Sequence, residues 1–200
     1  MARPRSFDEN DAVETALQVF IAKGYEGASI AELTAAMGIN PASLYAAFGD
    51  KRGLFERAMD AYARHRAPIV EAALSASRIE DVVGGLMHAY ADALTDAKFA
   101  PGCLYVQGAL SCSQTSEPVK QVLAARRLAI EPELEQRFRQ AMVAGELRPD
   151  ADCRELARYV ATLLQGMAVQ ASGGTARADL HAMADVIASQ FRGSLAFQAA

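Results

Sequence analysis

A glycine between two short helical patterns constrains this chain more than anything else in it. Residues 29–51 read SIAELTAAMGINPASLYAAFGDK. Ser29-Ile30-Ala31-Glu32 has the spacing of a capping box, in which the serine and the glutamate each satisfy a first-turn N–H of a starting helix. Gly38 ends that helix with the left-handed turn that a β-branched residue cannot hold cheaply. Ile39 plugs the turn, Asn40 caps the next helix, and Pro41 takes its first position, where a missing N–H costs nothing. Leu44 and Phe48, spaced i, i+4, point back to Leu33, Met37 and Phe20. Asp50 caps a further helix with the stripe Leu54, Phe55, Ala58, Met59 and Tyr62. Two short helices locked by such a turn make a helix-turn-helix, the unit that lays its second helix in the major groove of DNA.

The rest of the chain reads as helices as well. Ala, Leu, Met, Glu, Gln and Arg dominate, and no stretch alternates apolar and polar residues as a half-buried strand does. The expected fold class is all-α, with about nine helices. The first spans 8–23, with the stripe Val13, Ala16, Leu17 and Phe20, a capping box at Ser6 and Glu9, and Gly24 as its stop. The fourth reaches about position 74, and Pro68 is expected to kink or split it. Five more follow at 80–97, 103–113, 117–144 (where a bend is expected at Pro132), 153–171 and 176–195. The boundary between an N-terminal three-helix domain, 1–58, and a C-terminal helical domain, 59–200, falls inside the fourth helix, since no Gly/Ser-rich linker occurs there.

Charge does not announce a partner. The formal net charge is −4, and in residues 1–66 nine acidic side chains outnumber eight basic ones. A nucleic-acid function must therefore rest on where the basic groups sit. Cys103, Cys112 and Cys153 form neither a disulfide framework nor a zinc-finger pattern, so reduced thiols in a cytoplasmic protein are expected. No apolar run approaches membrane-spanning length, and no signal-peptide core follows the basic start. An enzyme is not expected: there is no Gly-rich phosphate loop, nucleophile elbow or paired metal-ligand motif.

At Ser29–Lys51, extended back through the first helix and on to about Met59, the sequence resembles the TetR/AcrR family of transcriptional regulators. The residues that carry the likeness are Phe20, Gly24, Tyr25, Ser29, Ile30, Leu33, Gly38, Ile39, Leu44 to Lys51, Leu54 and Phe55. The Leu-Tyr-x-x-Phe-x-x-Lys core behind the glycine turn is its specific part. Weaker likenesses follow at Gly102-Cys103-Leu104 and Leu164-Gln165-Gly166-Met167. The resemblance implies an all-α homodimer: an N-terminal domain on double-stranded operator DNA, and a C-terminal domain that dimerises and binds a small-molecule effector. Repression relieved by that effector is the expected function, with no cofactor and no membrane. Thr34 departs from the Ala or Gly usual at its position. Its hydroxyl must then bond back to a carbonyl of its own helix.

The candidate DNA-binding residues are Arg3, Arg5, Ser29, Pro41, Ala42, Ser43, Tyr45, Ala46, Ala47 and Lys51. Helix 3 has a small outer face, which lets a backbone approach base edges and thymine methyls. Tyr45 and Lys51 suit phosphate, as do free N–H groups at the starts of helices 2 and 4. Arg3 and Arg5 suit an adjacent minor groove. With no long polar side chain on helix 3, specificity is expected to lean on methyl contacts, the arm, water and DNA shape.

The candidate effector residues are Tyr62, Met87, Tyr90, Phe99, Cys103, Gln107, Leu110 and Gln165, an apolar set with a few orienting polar groups. Leu156, Tyr159, Leu163, Gly166, Met183, Ile187 and Phe191, on the last two helices, are the dimer candidates. Three alternatives stay open: redox sensing through Cys103 and Cys112, metal sensing through these thiols and His88, and an architectural DNA binder without ligand. Cys103 and Cys112 lie on opposite faces of one regular helix, about 13 Å apart along its axis, too far for a disulfide without disruption or a second subunit.

Overall fold

The structure is a computed structural model that describes residues 7–111 and 117–194, the side chains of 109–111, 193 and 194 excepted. Arg3, Arg5, Ser6 and Cys112 lie outside the described residues. The described chain is all helical: α1 Glu9–Gly27, α2 Ile30–Met37, α3 Pro41–Phe48, α4 Lys51–Leu74, α5 Ile79–Leu94, α6 Leu104–Ser111, α7 Glu117–Leu128, α8 Ile130–Val143, α9 Cys153–Ser172 and α10 Arg177–Ser194.

Local chemistry sets the N-terminal helices. Asp8 caps α1, accepting from the N–H groups of Asn10 and Asp11. Gly24 breaks that helix with φ 69°, and one further turn runs on to Gly27. Both halves of the capping box at Ser29 and Glu32 are formed. Gly38 sits at φ 65° and closes α2, Asn40 accepts from the Ser43 N–H, and Asp50 accepts from the Gly53 N–H. Each such cap is worth about 1 kcal/mol. The Thr34 hydroxyl donates back to the Ile30 carbonyl at 2.8 Å, so this buried polar side chain is satisfied within its own helix.

The Glu32 carboxyl is also held down to about 2, first by the hydrogen bond from Lys23, then by the Ser29 N–H and hydroxyl. A carboxyl depressed in the folded state adds stability that is complete above its ordinary 4.5 and disappears as the pH falls towards 2. Glu32→Gln is therefore expected to melt below the parent protein at neutral pH, with the gap narrowing as the pH is lowered through that window. A gap independent of pH would show that the charge contributes nothing to the box.

Two proline expectations resolve differently. α4 runs through Pro68 without a break. Pro68 and Arg64 are both exposed, so the Arg64 carbonyl that loses its partner can be hydrated. The single helix expected over 117–144 is instead divided at Ala129. The break places Pro132 in the first turn of α8, where its missing N–H is harmless.

One apolar core runs from Ala12 to Phe191. Phe20, Tyr25 and Phe55 form its aromatic corner, with Phe20 edge-on to Phe55 at 4.8 Å and Tyr25 to Phe55 at 5.0 Å. α1 packs on α4 and also on α6, α5 lies between α4 and α10, and α8 lies against α9. The 58/59 boundary read from the sequence lies inside α4. Ile79, at the start of α5, donates its N–H to the Glu146 carboxylate at 2.6 Å, a cap supplied from the turn after α8. His88 and His181, far apart in sequence, meet across α5 and α10. Their Nδ1 atoms are 2.8 Å apart, with Asp185 and Asp92 against the outer ring nitrogens.

Candidate nucleic-acid interface and internal cavity

α3 presents Pro41, Ala42, Tyr45 and Ala46 as exposed residues, with Ser43 and Ala47 half-buried beside them, while Leu44 and Phe48 anchor its back. Tyr45 is 49% exposed, a large ring left half in solvent. Ser29 is also exposed, but its hydroxyl donates to Glu32 at 2.9 Å, so it is engaged in capping. Lys51 opens α4 with its Nζ 4.5 Å from the centre of the Tyr25 ring. Burial pushes the Lys51 ammonium down from its ordinary value, and Glu26 opposes that only in part. Each cap side chain satisfies some first-turn N–H groups of its helix and leaves others for an incoming phosphate. The face is small at its centre, with a phenol and a cation at its flank.

A cavity of about 560 Å³, open to the surface on one side, lies between α4, α5, the start of α6, α7, α8 and α9. Of the effector candidates, it brings together Tyr62, Tyr90, Cys103 and Gln165. The others lie elsewhere. Met87 is wholly buried in the core. Phe99 lines a separate hollow of about 130 Å³ and stacks edge-on to His65 at 5.5 Å. Gln107 points its Nε2 towards the Pro101 carbonyl and Gly102, away from the larger cavity. The Leu110 side chain is outside the described residues.

Sequence reasoning missed Arg66, Tyr105 and Arg127, which also line the cavity. Arg66 had a signal: it continues the apolar stripe of α4 one turn beyond Tyr62, where a charged side chain is out of pattern. Its Nη2 donates to the Tyr62 hydroxyl at 2.7 Å. Its guanidinium lies 4.9 Å from the Tyr62 ring centre and 5.1 Å from that of Tyr90. Tyr105 meets Tyr62 edge-on at 4.9 Å. Burial first, and the neighbouring Cys103 second, push the phenols of Tyr62 and Tyr90 well above their ordinary value.

On the last two helices, Leu156, Leu163, Met183 and Ile187 are half-buried, and Tyr159 and Gly166 are exposed. Val169 and Val186 join that surface, Val186 at 61% exposure. Phe191 does not belong to it. It is buried within the chain and stacks on Phe138 at 5.9 Å. Cys103 and Cys153 are buried free thiols. Among the described residues no group of three or more His, Cys, Asp or Glu side chains could hold a metal ion. No described helix is long and apolar enough to cross a membrane.

A capped helix-turn-helix with an open α3 face, joined through one long helix to a helical body with a cavity, defines a DNA-binding regulator. Two family models match: one described as bacterial regulatory proteins, tetR family, over residues 12–58, and one described as tetracyclin repressor-like, C-terminal domain, over residues 76–187. The chain belongs to the TetR family of DNA-binding transcriptional regulators. It is 31% identical to the HTH-type transcriptional repressor ComR of Escherichia coli K12, over 86% of this chain and 83% of that protein. It is 50% identical over 60 residues, 30% of each chain, to the HTH-type transcriptional repressor BdcR of the same strain. Among solved structures, a cysteine mutant of the TetR family transcriptional regulator CifR complexed with 26-base-pair double-strand operator DNA is 38% identical, with a TM-score of 0.89 over 94% of this chain and 98% of that one.

Proposed function

We propose that this protein is a repressor that binds double-stranded operator DNA as a homodimer and is released when a small molecule enters the α4–α9 cavity. The observation that carries this reading is α4 itself. It begins at the proposed DNA face with Lys51 and lines the cavity from Tyr62 to Leu74. Lys51 and Arg66 are fifteen residues apart, about 22 Å along a helix rising 1.5 Å per residue. A ligand that prefers one position of α4 thereby favours one spacing of the two reading helices, and its differential affinity sets the size of the shift.

In this reading α3 enters the major groove with Pro41, Ala42, Ser43, Ala46 and Ala47 against the bases and sugars, while Tyr45 and Lys51 meet phosphate. Lys51 is partly desolvated, so an arriving phosphate removes a standing penalty on its charge. Ser29 serves mainly to hold α2, and Arg3 and Arg5 reach an adjacent minor groove. The exposed apolar strip through Tyr159, Gly166, Val169 and Val186, with Leu156, Leu163, Met183 and Ile187 beneath it, is the dimer surface. Two copies set the half-site spacing that a single reader cannot. The repressor names of ComR and BdcR support the sign of the regulation, and the operator-bound CifR complex supports the mode of binding.

Selection of bound DNA from a random pool tests this reading, followed by binding isotherms on the recovered site at several salt concentrations. The recovered site is expected to be two-fold symmetric, and Lys51→Ala is expected to lower the salt slope by about 1 while weakening all sequences alike. An asymmetric site bound by a sedimenting monomer would overturn the dimer, and an unchanged slope would remove Lys51 from the phosphate contacts.

A further inference from the structure

The cavity carries a charge that the chain leaves unanswered. Arg66 has one nitrogen, Nη1, that is buried and without a hydrogen-bond partner, while its Nη2 is spent on the neutral Tyr62 hydroxyl. Among the described residues no carboxylate stands within 4 Å of its guanidinium. The two rings beside it cannot serve as counter-ions either, because burial first and Cys103 second hold both phenols well above the range in which they ionise near neutral pH. A second guanidinium on the cavity lining, carried by α7, repeats the pattern: Arg127 has a buried Nε without a partner. Arg126, beside it, shows what a satisfied arginine looks like, with Asp60 at 2.7 Å. The acids that line the cavity, Glu71 and Glu133, belong to exposed residues, so they stand at its opening and in water.

A buried guanidinium is costly unless an anion meets it, and its planar fork matches a carboxylate with two parallel hydrogen bonds. The remaining walls are apolar, with Val70, Leu74, Val106, Ile130 and Leu164 among them. Such walls favour a hydrocarbon body and disfavour a bare inorganic ion. The cavity size lies within the range of ordinary small-molecule sites.

We propose that the ligand of this cavity is a small organic carboxylate on an apolar body, its negative group paired with the guanidinium of Arg66, with Arg127 also on the lining. The inference rests on the reading of this cavity as the effector site, and it names the chemical class of that effector. The Cys103 thiol and the Gln165 amide supply polar contacts around the carboxylate, and the Tyr62 and Tyr90 rings hold the guanidinium in place by stacking. Because Arg66 sits on α4, the anion is bound by the helix that also begins at the DNA face.

The test uses the full-length protein and matched probes: hexanoate, octanoate, decanoate and benzoate, each beside its primary amide, with sodium chloride and sodium phosphate at equal ionic strength. Thermal unfolding and calorimetric titration are expected to show stabilisation by at least one carboxylate and at least tenfold weaker binding of its amide. Arg66→Met is expected to lose at least tenfold in carboxylate affinity while its own melting temperature, without ligand, stays level or rises, since a buried unpaired charge has been removed. Arg66→Lys keeps the charge without the fork and is expected to bind with intermediate affinity. Equal binding of amide and acid, undiminished binding by Arg66→Met, equal stabilisation by chloride or phosphate, or no stabilisation by any carboxylate would each overturn the proposal. Operator binding separates it from the reading beneath it. A carboxylate that binds through Arg66 but leaves operator affinity unchanged would keep the anion site and overturn its role as effector site. Release by neutral compounds alone would do the reverse.

Discussion

Ala46→Glu is expected to abolish operator binding while leaving folding stability within about 0.5 kcal/mol of the parent protein. Ala46 is exposed on α3 and supports nothing inside the chain, because Leu44 and Phe48 do that work from the opposite face. A glutamate there is a tolerable helix residue in the free protein. In the complex its carboxylate would lie in a groove walled by phosphates, bulkier than alanine by several atoms. Like charges brought together at an interface cost several kcal/mol, and about 3 kcal/mol is already a factor above one hundred in affinity. Ala46→Gln separates charge from bulk and should retain more binding than the glutamate. Both variants would be compared with the parent by fluorescence anisotropy on the selected operator and by thermal melting. Operator binding by Ala46→Glu at near-parental affinity would show that α3 does not enter the groove.

The second large effect is expected at Gly53. A Cβ added there would stand 2.1 Å from the Phe48 carbonyl oxygen, and Cβ contacts under 3.0 Å essentially never occur. The obstacle is backbone, so no side chain can rotate away. The turn between α3 and α4 must open by roughly 1 Å, and the cap from Asp50 to the Gly53 N–H must stretch with it. Gly53→Ala is expected to cost about 3 kcal/mol and to lower the melting temperature by roughly 6–12 °C. Operator affinity should fall at least tenfold as well, since α3 is carried out of place. Gly85→Ala is the control. It lies in a helix with nothing within 4 Å of the new methyl, so it should stabilise the protein by about 0.5–1 kcal/mol. If Gly53→Ala melted level with Gly85→Ala, the close approach of α4 to α3 would have no energetic consequence.

What the sequence made legible was local. The capping box at Ser29 and Glu32, the left-handed Gly38, the caps at Asn40 and Asp50 and the back-bonded Thr34 are all decided by residues within four positions of each other, and the structure forms every one. The membership of the cavity was legible only in part. Tyr62, Tyr90, Cys103 and Gln165 meet there, whereas Met87 and Phe99 face other space, because the meeting is decided by how α4 to α9 cross and not by spacing along any one of them. Phe191 and Tyr159 show a related limit. Spacing marks an apolar stripe, but it does not say whether the same chain covers it, as Phe138 covers Phe191, or leaves it open, as at Tyr159. The division at Ala129 could have been read from Pro132, which is better placed in the first turn of a new helix than in the middle of an old one. The pairing of His88 with His181 had no local signal at all.

Among the described residues the N-terminal helices meet the body most extensively where α4 runs through and where α1 leans on α6. A head on a single stalk can tilt in any direction, so pressure inside the body could displace it in ways that leave the half-site spacing unaltered. With a second support the arrangement is a linkage: a push on α4 that α6 does not share must become a roll about the line joining the two attachments. α6 begins immediately after Cys103, at the edge of the cavity. In the mechanism proposed above, an occupant there would press on both arms together, and the balance between them would decide which way the head turns. In such a mechanism the length and stiffness of α6 matter to regulation as much as any side chain that touches the occupant.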